Sequence, residues 1–454
     1  MNAQLQTIPQ LQTKPIQPKP NIPGWSPALR VAFRFWMVYL GLYCLATQII
    51  TSLFTITTGA GRNVPDLATL WPLRPVIFWT AAHIFHVNAP LSSFFGGNSA
   101  SSDTKFGWVM TFCLLVIATA ATVVWSFLDR HRENYAGLHK WVRLFVRFAL
   151  AGQMIAYGFV KVIPIMQHYP SLTRLLQPVG TLSPMGMLWT ATGSSPAYEI
   201  FTGWAEAAGG VLLIVPRTAT LGALICLADM IQVMMLEMTY DVPLKLFAFH
   251  LLLLSCFLLA PDVPRLVRFL LLNRTTPPST QEQLFRSVRA NRIAFAAQII
   301  LAVWLVGVYG HYAWGVWNTR GGGRPLPPLY GIWEVKQMSI DEQPRPPLLT
   351  DSTRWRRAIF DLPDRMAFQR IDDSFVPYGA SVNLQEKTLA LTKSDDKNWT
   401  ASFTFQRPAG DQLILDGRMD NHHVHMELQL TDRNSFLLVS RGFHWTQEAA
   451  LGRY

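Results

Sequence analysis

The chain has 454 residues, half of them hydrophobic and only 15% charged, with a formal net charge of +11. That balance excludes a soluble enzyme with an ordinary polar surface. The arginines crowd into links between apolar runs, so the positive charge reads as the bias of cytoplasmic loops and excludes a nucleic-acid binder.

Met1 to Pro27 is rich in Gln, Pro, Thr and Lys and has no apolar core followed by a cleavage site. It reads as a disordered tail and not as a signal peptide. Residues 28–320 then form a transmembrane domain. A helix needs roughly 20 apolar residues to cross a hydrocarbon core of about 30 Å. Seven runs qualify: Val31 to Thr55, Phe106 to Leu128, Val142 to Ile163, Ala197 to Val215, Thr218 to Met238, Leu244 to Leu259 and Ile293 to Tyr312. Leu70 to Pro90 is apolar but broken by Pro72, Pro75 and Pro90, and suits a helix lying in the membrane interface. All four cysteines (Cys44, Cys113, Cys226, Cys256) lie in apolar runs, which leaves no disulfide framework or CxxC centre.

Arg30 and Arg34 precede the first span, Arg130, Arg132, Lys140 and Arg143 divide the second from the third, and six arginines from Arg265 to Arg292 divide the sixth from the seventh. With seven spans these links share one side, which puts the amino end in the cytoplasm and the carboxyl domain outside. A bacterial inner membrane is the expected location.

Beyond Gly321-Gly322-Gly323 the character changes. Ile332 to Lys336, Ser402 to Phe405 and His425 to Leu430 alternate with period two, and turn signals such as Asp420-Asn421 separate such runs. Residues 321–454 are therefore expected to form an antiparallel β domain, a small barrel. Gly331-Ile332-Trp333 is reminiscent of the first lipocalin strand and favours the barrel. His423 and His425 project from one face of a strand and are the weak metal candidates, while an exposed polar hairpin accounts for them more simply, since no third ligand at recognisable spacing accompanies the pair. Asn398-Trp399-Thr400 fits a glycosylation sequon.

The candidate site comes from polar groups inside the spans, because a charge in hydrocarbon persists only when paired, wet or useful. Gln153, Tyr157 and Lys161 recur at four-residue intervals on one face of the third span. Thr202 and Glu206 share a face of the fourth, followed by Gly209-Gly210, where a neighbouring helix can come close. The fifth offers Asp229, Gln232 and, near its outer end, Glu237; the sixth offers Lys245 and His250. Tyr157, Lys161, Thr202, Glu206, Asp229, Gln232, Lys245 and His250 are expected to line one pocket in the outer half of the bundle. Lys161 and Lys245 also stand where lysines commonly snorkel to the interface.

The stretch from Val142 to Asn273 resembles the DoxX-like family of small four-helix membrane proteins. The resemblance rests on Tyr157-Gly158-Phe159-Val160-Lys161, Ser183-Pro184-Met185-Gly186, Phe201-Thr202-Gly203-Trp204-Ala205-Glu206-Ala207-Ala208-Gly209-Gly210, Tyr240-Asp241-Val242-Pro243-Leu244-Lys245, His250 and Ala260-Pro261-Asp262. It implies a four-helix bundle and, as in some members, the membrane subunit of a quinone-linked oxidoreductase. This chain departs from the pattern in its added spans and external domain, so no relative's substrate carries over. No haem-ligating pair, cysteine cluster or dinucleotide fingerprint supplies electrons, so a redox or other envelope protein would be the partner besides the bilayer. No catalytic nucleophile is read. A carrier or binder of a small or lipid-like molecule, and a scaffold displaying the β domain, are the alternatives.

Overall fold

The computed structural model describes residues 24–55, 66–87, 91, 101–276, 283–396 and 398–448. The expected tail therefore lies outside the described residues up to position 23. Among the described residues the helices are α1 (Pro27–Ala46), α2 (Gln48–Thr55), α3 (Leu73–His83), α4 (Lys105–Leu128), α5 (Ala136–Val162), α6 (Leu172–Leu176), α7 (Pro184–Gly193), α8 (Pro196–Ile214), α9 (Ala219–Thr239), α10 (Lys245–Leu259), α11 (Val263–Leu266), α12 (Val288–Thr319) and α13 (Leu437–Ser440). Among the described residues six segments are long and apolar enough to cross a membrane: α1, α4, α5, Pro216–Thr239, Lys245–Leu271 and α12. The protein is thus a helical multi-pass membrane protein.

The expected fourth span is the helix α8, which is not among those six; its two glutamates and three glycines dilute its hydropathy. It nevertheless traverses the bundle. Arg147, in the first half of α5, donates to the carbonyls of Leu213 and Ile214 at the end of α8, whereas Lys161 near the end of α5 reaches Glu206. The two helices are antiparallel, and α8 carries the chain back between α5 and α9. Arg147 also satisfies carbonyls that a helix end leaves free and holds α12 through Gln298.

Start signals agree with the boundaries. Ser26 accepts from the Leu29 amide ahead of Pro27, and Thr104 does the same for Gly107 at α4. Asp103 accepts from the Lys245 and Leu246 amides and Ser102 from that of Phe247, so the link before α4 caps α10. The stretch expected to lie across the interface holds α3, which is not among those six spans. Phe78 meets Phe106 and Phe85 meets Phe112, so α3 and its end run alongside the first turns of α4. Pairing with those rings buries part of an apolar segment too short to span.

The carboxyl domain is a closed barrel. Strands β1 (Gly331–Ile340), β2 (Gln343–Pro344), β3 (Trp355–Leu362), β4 (Arg365–Arg370), β5 (Phe375–Asn383), β6 (Thr388–Thr392), β7 (Thr400–Gln406), β8 (Gln412–Met419) and β9 (His422–Thr431) pair antiparallel, each with the next in the order β2-β1-β3 to β9. Pairing of β1 with β9, Ile332 opposite Thr431 and Ile340 opposite Val424, closes eight of them into a ring; β2 only extends the far end of β1. Along β7 the period of two is strict, with Ala401, Phe403 and Phe405 inside and Thr400, Ser402, Thr404 and Gln406 outside. Gly331 has φ +143°, and a Cβ there would lie 2.5 Å from Leu430, so the strand opens on a residue only glycine suits. Trp333 is wholly buried, donates from Nε1 to the Leu329 carbonyl at 2.9 Å and is covered by Arg407.

One rim of the barrel sits on the bundle. Asp361 accepts from the Leu172 amide at 2.9 Å and pairs with Arg324 at 2.8 Å. Ile332 and Ile359 on the outer wall pack with Leu172, joined by Leu175, Leu176 and Phe436. The turns at Asp420-Asn421 and at residues 393–396 belong to the opposite rim, a strand length away.

Candidate functional site

The helices α5 and α8 approach closely because their facing positions are small. A Cβ at Gly203 would stand 2.6 Å from the Val162 nitrogen and 2.7 Å from the Gly158 oxygen, and one at Gly158 would stand 2.6 Å from the Ala207 nitrogen. This contact brings Lys161 against Glu206. Lys161 Nζ donates to Glu206 Oε1, and both side chains are buried, with Glu206 2% exposed. Lys161 therefore turns inward and does not snorkel.

Other charges gather about that pair. Asp229 on α9 lies close enough to interact electrostatically with both Glu206 and Lys161, and Glu237 interacts with Lys161, Lys245 and Asp103. Glu199, in the first turn of α8 and 1% exposed, accepts the Gln167 amide through Oε1 at 2.9 Å and also feels Lys161. The second oxygens of Glu199, Glu206, Asp229 and Glu237 are all buried without a hydrogen-bond partner. Tyr157 sits on the same side, receives a hydrogen bond from Gln48 Nε2 at 3.3 Å, and interacts with Glu206, Glu237 and Tyr309. Beyond Gln48 a cavity of about 40 Å³, lined by Tyr43, Thr47, Asp66, Ser102 and Thr104 among others, has room for water but not for a ring. Burial pushes the Asp66 carboxyl up to about 6, against the hydrogen bond it accepts from Thr51.

Thus the structure brings together Tyr157, Lys161, Glu206 and Asp229 of the expected pocket, and adds Glu199 and Glu237. The remaining expected positions fall elsewhere. Gln232 is exposed on the outer face of α9, because three residues on from Asp229 the side chain has passed out of the contact with α8. Thr202 is half-buried and donates to the Glu199 carbonyl. Lys245 pairs with Asp241 at 2.9 Å and Asp103 at 3.6 Å, at the mouth of α10. His250 belongs to a separate packing cluster with α1: its Nδ1 lies 2.6 Å from the Leu246 carbonyl, so that nitrogen donates, and Nε2 accepts from the Tyr39 hydroxyl at 2.7 Å. The ring stacks on Tyr43 at 3.4 Å, and both its nitrogens are engaged.

In the barrel, His423 and His425 do share a face, but both turn to Asp416, at 3.2 and 2.7 Å. Those bonds, His425's first, hold the Asp416 carboxyl below the usual range. No group of three or more metal-ligating side chains is present among the described residues. Asn398 is exposed in the turn before β7. The four cysteines are free thiols, Cys256 alone exposed.

Glu199 gave no signal in the sequence, since an acid in a first helical turn is ordinary there. Asp66 lies in a link where no apolar contrast marks a polar residue, whereas Gln48 sits inside the expected first span and was passed over there.

No family model matches the chain, and no solved structure matches it. Among curated proteins, the uncharacterized protein YwoB of Bacillus subtilis (strain 168) is 28% identical over 116 residues, 26% of this chain and 73% of that protein.

Proposed function

We propose that this protein is a DoxX-like membrane component of a quinone-linked oxidoreductase system, in which the charged cluster of α5, α8 and α9 handles protons for a quinone substrate. One observation carries the reading: a single buried ammonium, Lys161, stands among four carboxylates, each with an oxygen lacking a partner. Lys161 neutralises one of them; the others need protons or a cation to persist in so apolar a setting. Reduction of a quinone to a quinol consumes two electrons and two protons. The carboxylates can give and take the protons, and the Tyr157 hydroxyl and Lys161 ammonium are donors of the kind a quinone carbonyl accepts. The electrons come from a partner redox protein. In this reading the amino end is cytoplasmic, the membrane is a bacterial inner membrane, and the barrel stands outside on the side of the cluster. Binding of another small or lipid-like molecule at the same cluster is the alternative.

The test is to extract small molecules from detergent-purified wild type and Glu206→Gln and record their mass and ultraviolet spectra. Quinone retained by wild type and lost from the variant is expected; a different molecule lost in its place moves the protein to the binder reading. Modification of Ser394→Cys by an impermeant thiol reagent on intact cells tests the orientation, and protection until the membrane is opened would reverse it.

A further inference from the structure

We infer that the segment Phe436–Trp445, which follows the last barrel strand, is an anchor that lies in the phosphate-bearing interface of the same membrane the bundle crosses. Its starting point is fixed. Phe436 packs against the cluster formed by Leu172 of α6 with Ile332 and Ile359 of the barrel wall, and Arg433 covers the ring of Tyr169 at 5.1 Å. The link from α5 to α6 is short, so this junction stands just above the end of a spanning helix.

From there the chain presents large apolar side chains to its surroundings: Leu437 is 69% exposed, Leu438 50%, Phe443 76% and Trp445 92%. Leu348, Leu349 and Leu384 of the barrel's loops are also exposed, but without aromatic neighbours; a contiguous apolar stretch left open at a domain's edge marks a contact surface. Arg441 and His444 are interleaved with it. Aromatic rings with basic groups suit the depth at which hydrocarbon gives way to lipid phosphate, and the rim of the barrel that carries the segment is the one docked on the bundle. The occupant that fits is therefore phospholipid.

The full chain carrying Cys256→Ala is reconstituted in nanodiscs of phosphatidylethanolamine and phosphatidylglycerol with nitroxide-labelled phosphatidylcholine. A thiol-reactive fluorophore is placed singly through Leu438→Cys, Trp445→Cys, Val116→Cys on the exposed face of α4, or Ser394→Cys at the far rim. Labels at Leu438 and Trp445 are expected to lose most of their emission, as the one at Val116 does, while the one at Ser394 keeps its own. Emission at both positions as bright as at Ser394 overturns the proposal. So does a pair of labels untouched by nitroxide lipid yet shielded from aqueous iodide, which would assign the segment to a protein neighbour.

Discussion

Lys161 and Glu206 illustrate how costly half of an ion pair is in an apolar setting. Removing one partner of a buried pair leaves the other uncompensated and typically costs about 3–5 kcal/mol, whereas replacing both with apolar groups is close to neutral. Lys161→Met and Glu206→Gln are each expected to lower the detergent-solubilised melting temperature, and Lys161→Met with Glu206→Leu to recover most of the loss; a double variant as weak as the singles would show that the pair is not what holds α5 to α8. Asp66 supplies a pH dependence. Burial raises its carboxyl from 3.8 to about 6, so the folded state binds the proton more tightly than the unfolded one. Ionisation then costs stability progressively from about pH 4 to pH 6, roughly 3 kcal/mol in all above that window. Asp66→Asn is accordingly expected to raise the melting temperature at pH 8 and leave it unchanged near pH 4. At this scale the sequence was legible where charge contrasts with hydrocarbon, as at Glu206 and Asp229. It was not legible for Gln232, whose helix is apolar on every side and so does not declare which face is buried, nor for His250, whose partners Tyr39 and Tyr43 come from α1, more than two hundred residues earlier.

Among the elements, the α5 and α8 pair depends on backbone approaching backbone. A methyl group at Gly203 meets atoms that cannot swing aside, and overpacking of this kind typically costs about 1–3 kcal/mol. Gly307 on α12 has nothing within 4 Å, and alanine there should gain up to about 1 kcal/mol of helix propensity. Thermal unfolding of Gly203→Ala and Gly307→Ala should therefore move in opposite directions, and equal shifts would deny the close contact. Runs of apolar length located most helices, α8 included, although its glycines and glutamates keep it out of the six most apolar segments. The path of α3 was not legible, because proline spacing says where a helix starts and stops but not which neighbour it follows. The strands of the barrel were readable from their alternation, and its closure was not, since register between β1 and β9 joins residues about a hundred positions apart.

For the molecule as a whole, Asp361 is the polar joint between barrel and bundle, gripping both the Leu172 amide and Arg324. Asp361→Ala should leave each part folded and loosen their union, read as faster protease cleavage in the Gly321 to Leu329 link with unchanged fragments. Cleavage at the wild-type rate would show that the apolar contact of Ile332 and Ile359 with α6 suffices alone. The ring also has a consequence of another kind. Because the first and last of its strands are the ones that zip together, the chain enters and leaves the barrel at a single rim, with Ile332 beside Thr431. A domain wired in this way hangs from one rim, so the turns of the opposite rim, Asp420-Asn421 among them, carry neither of the chain's two connections.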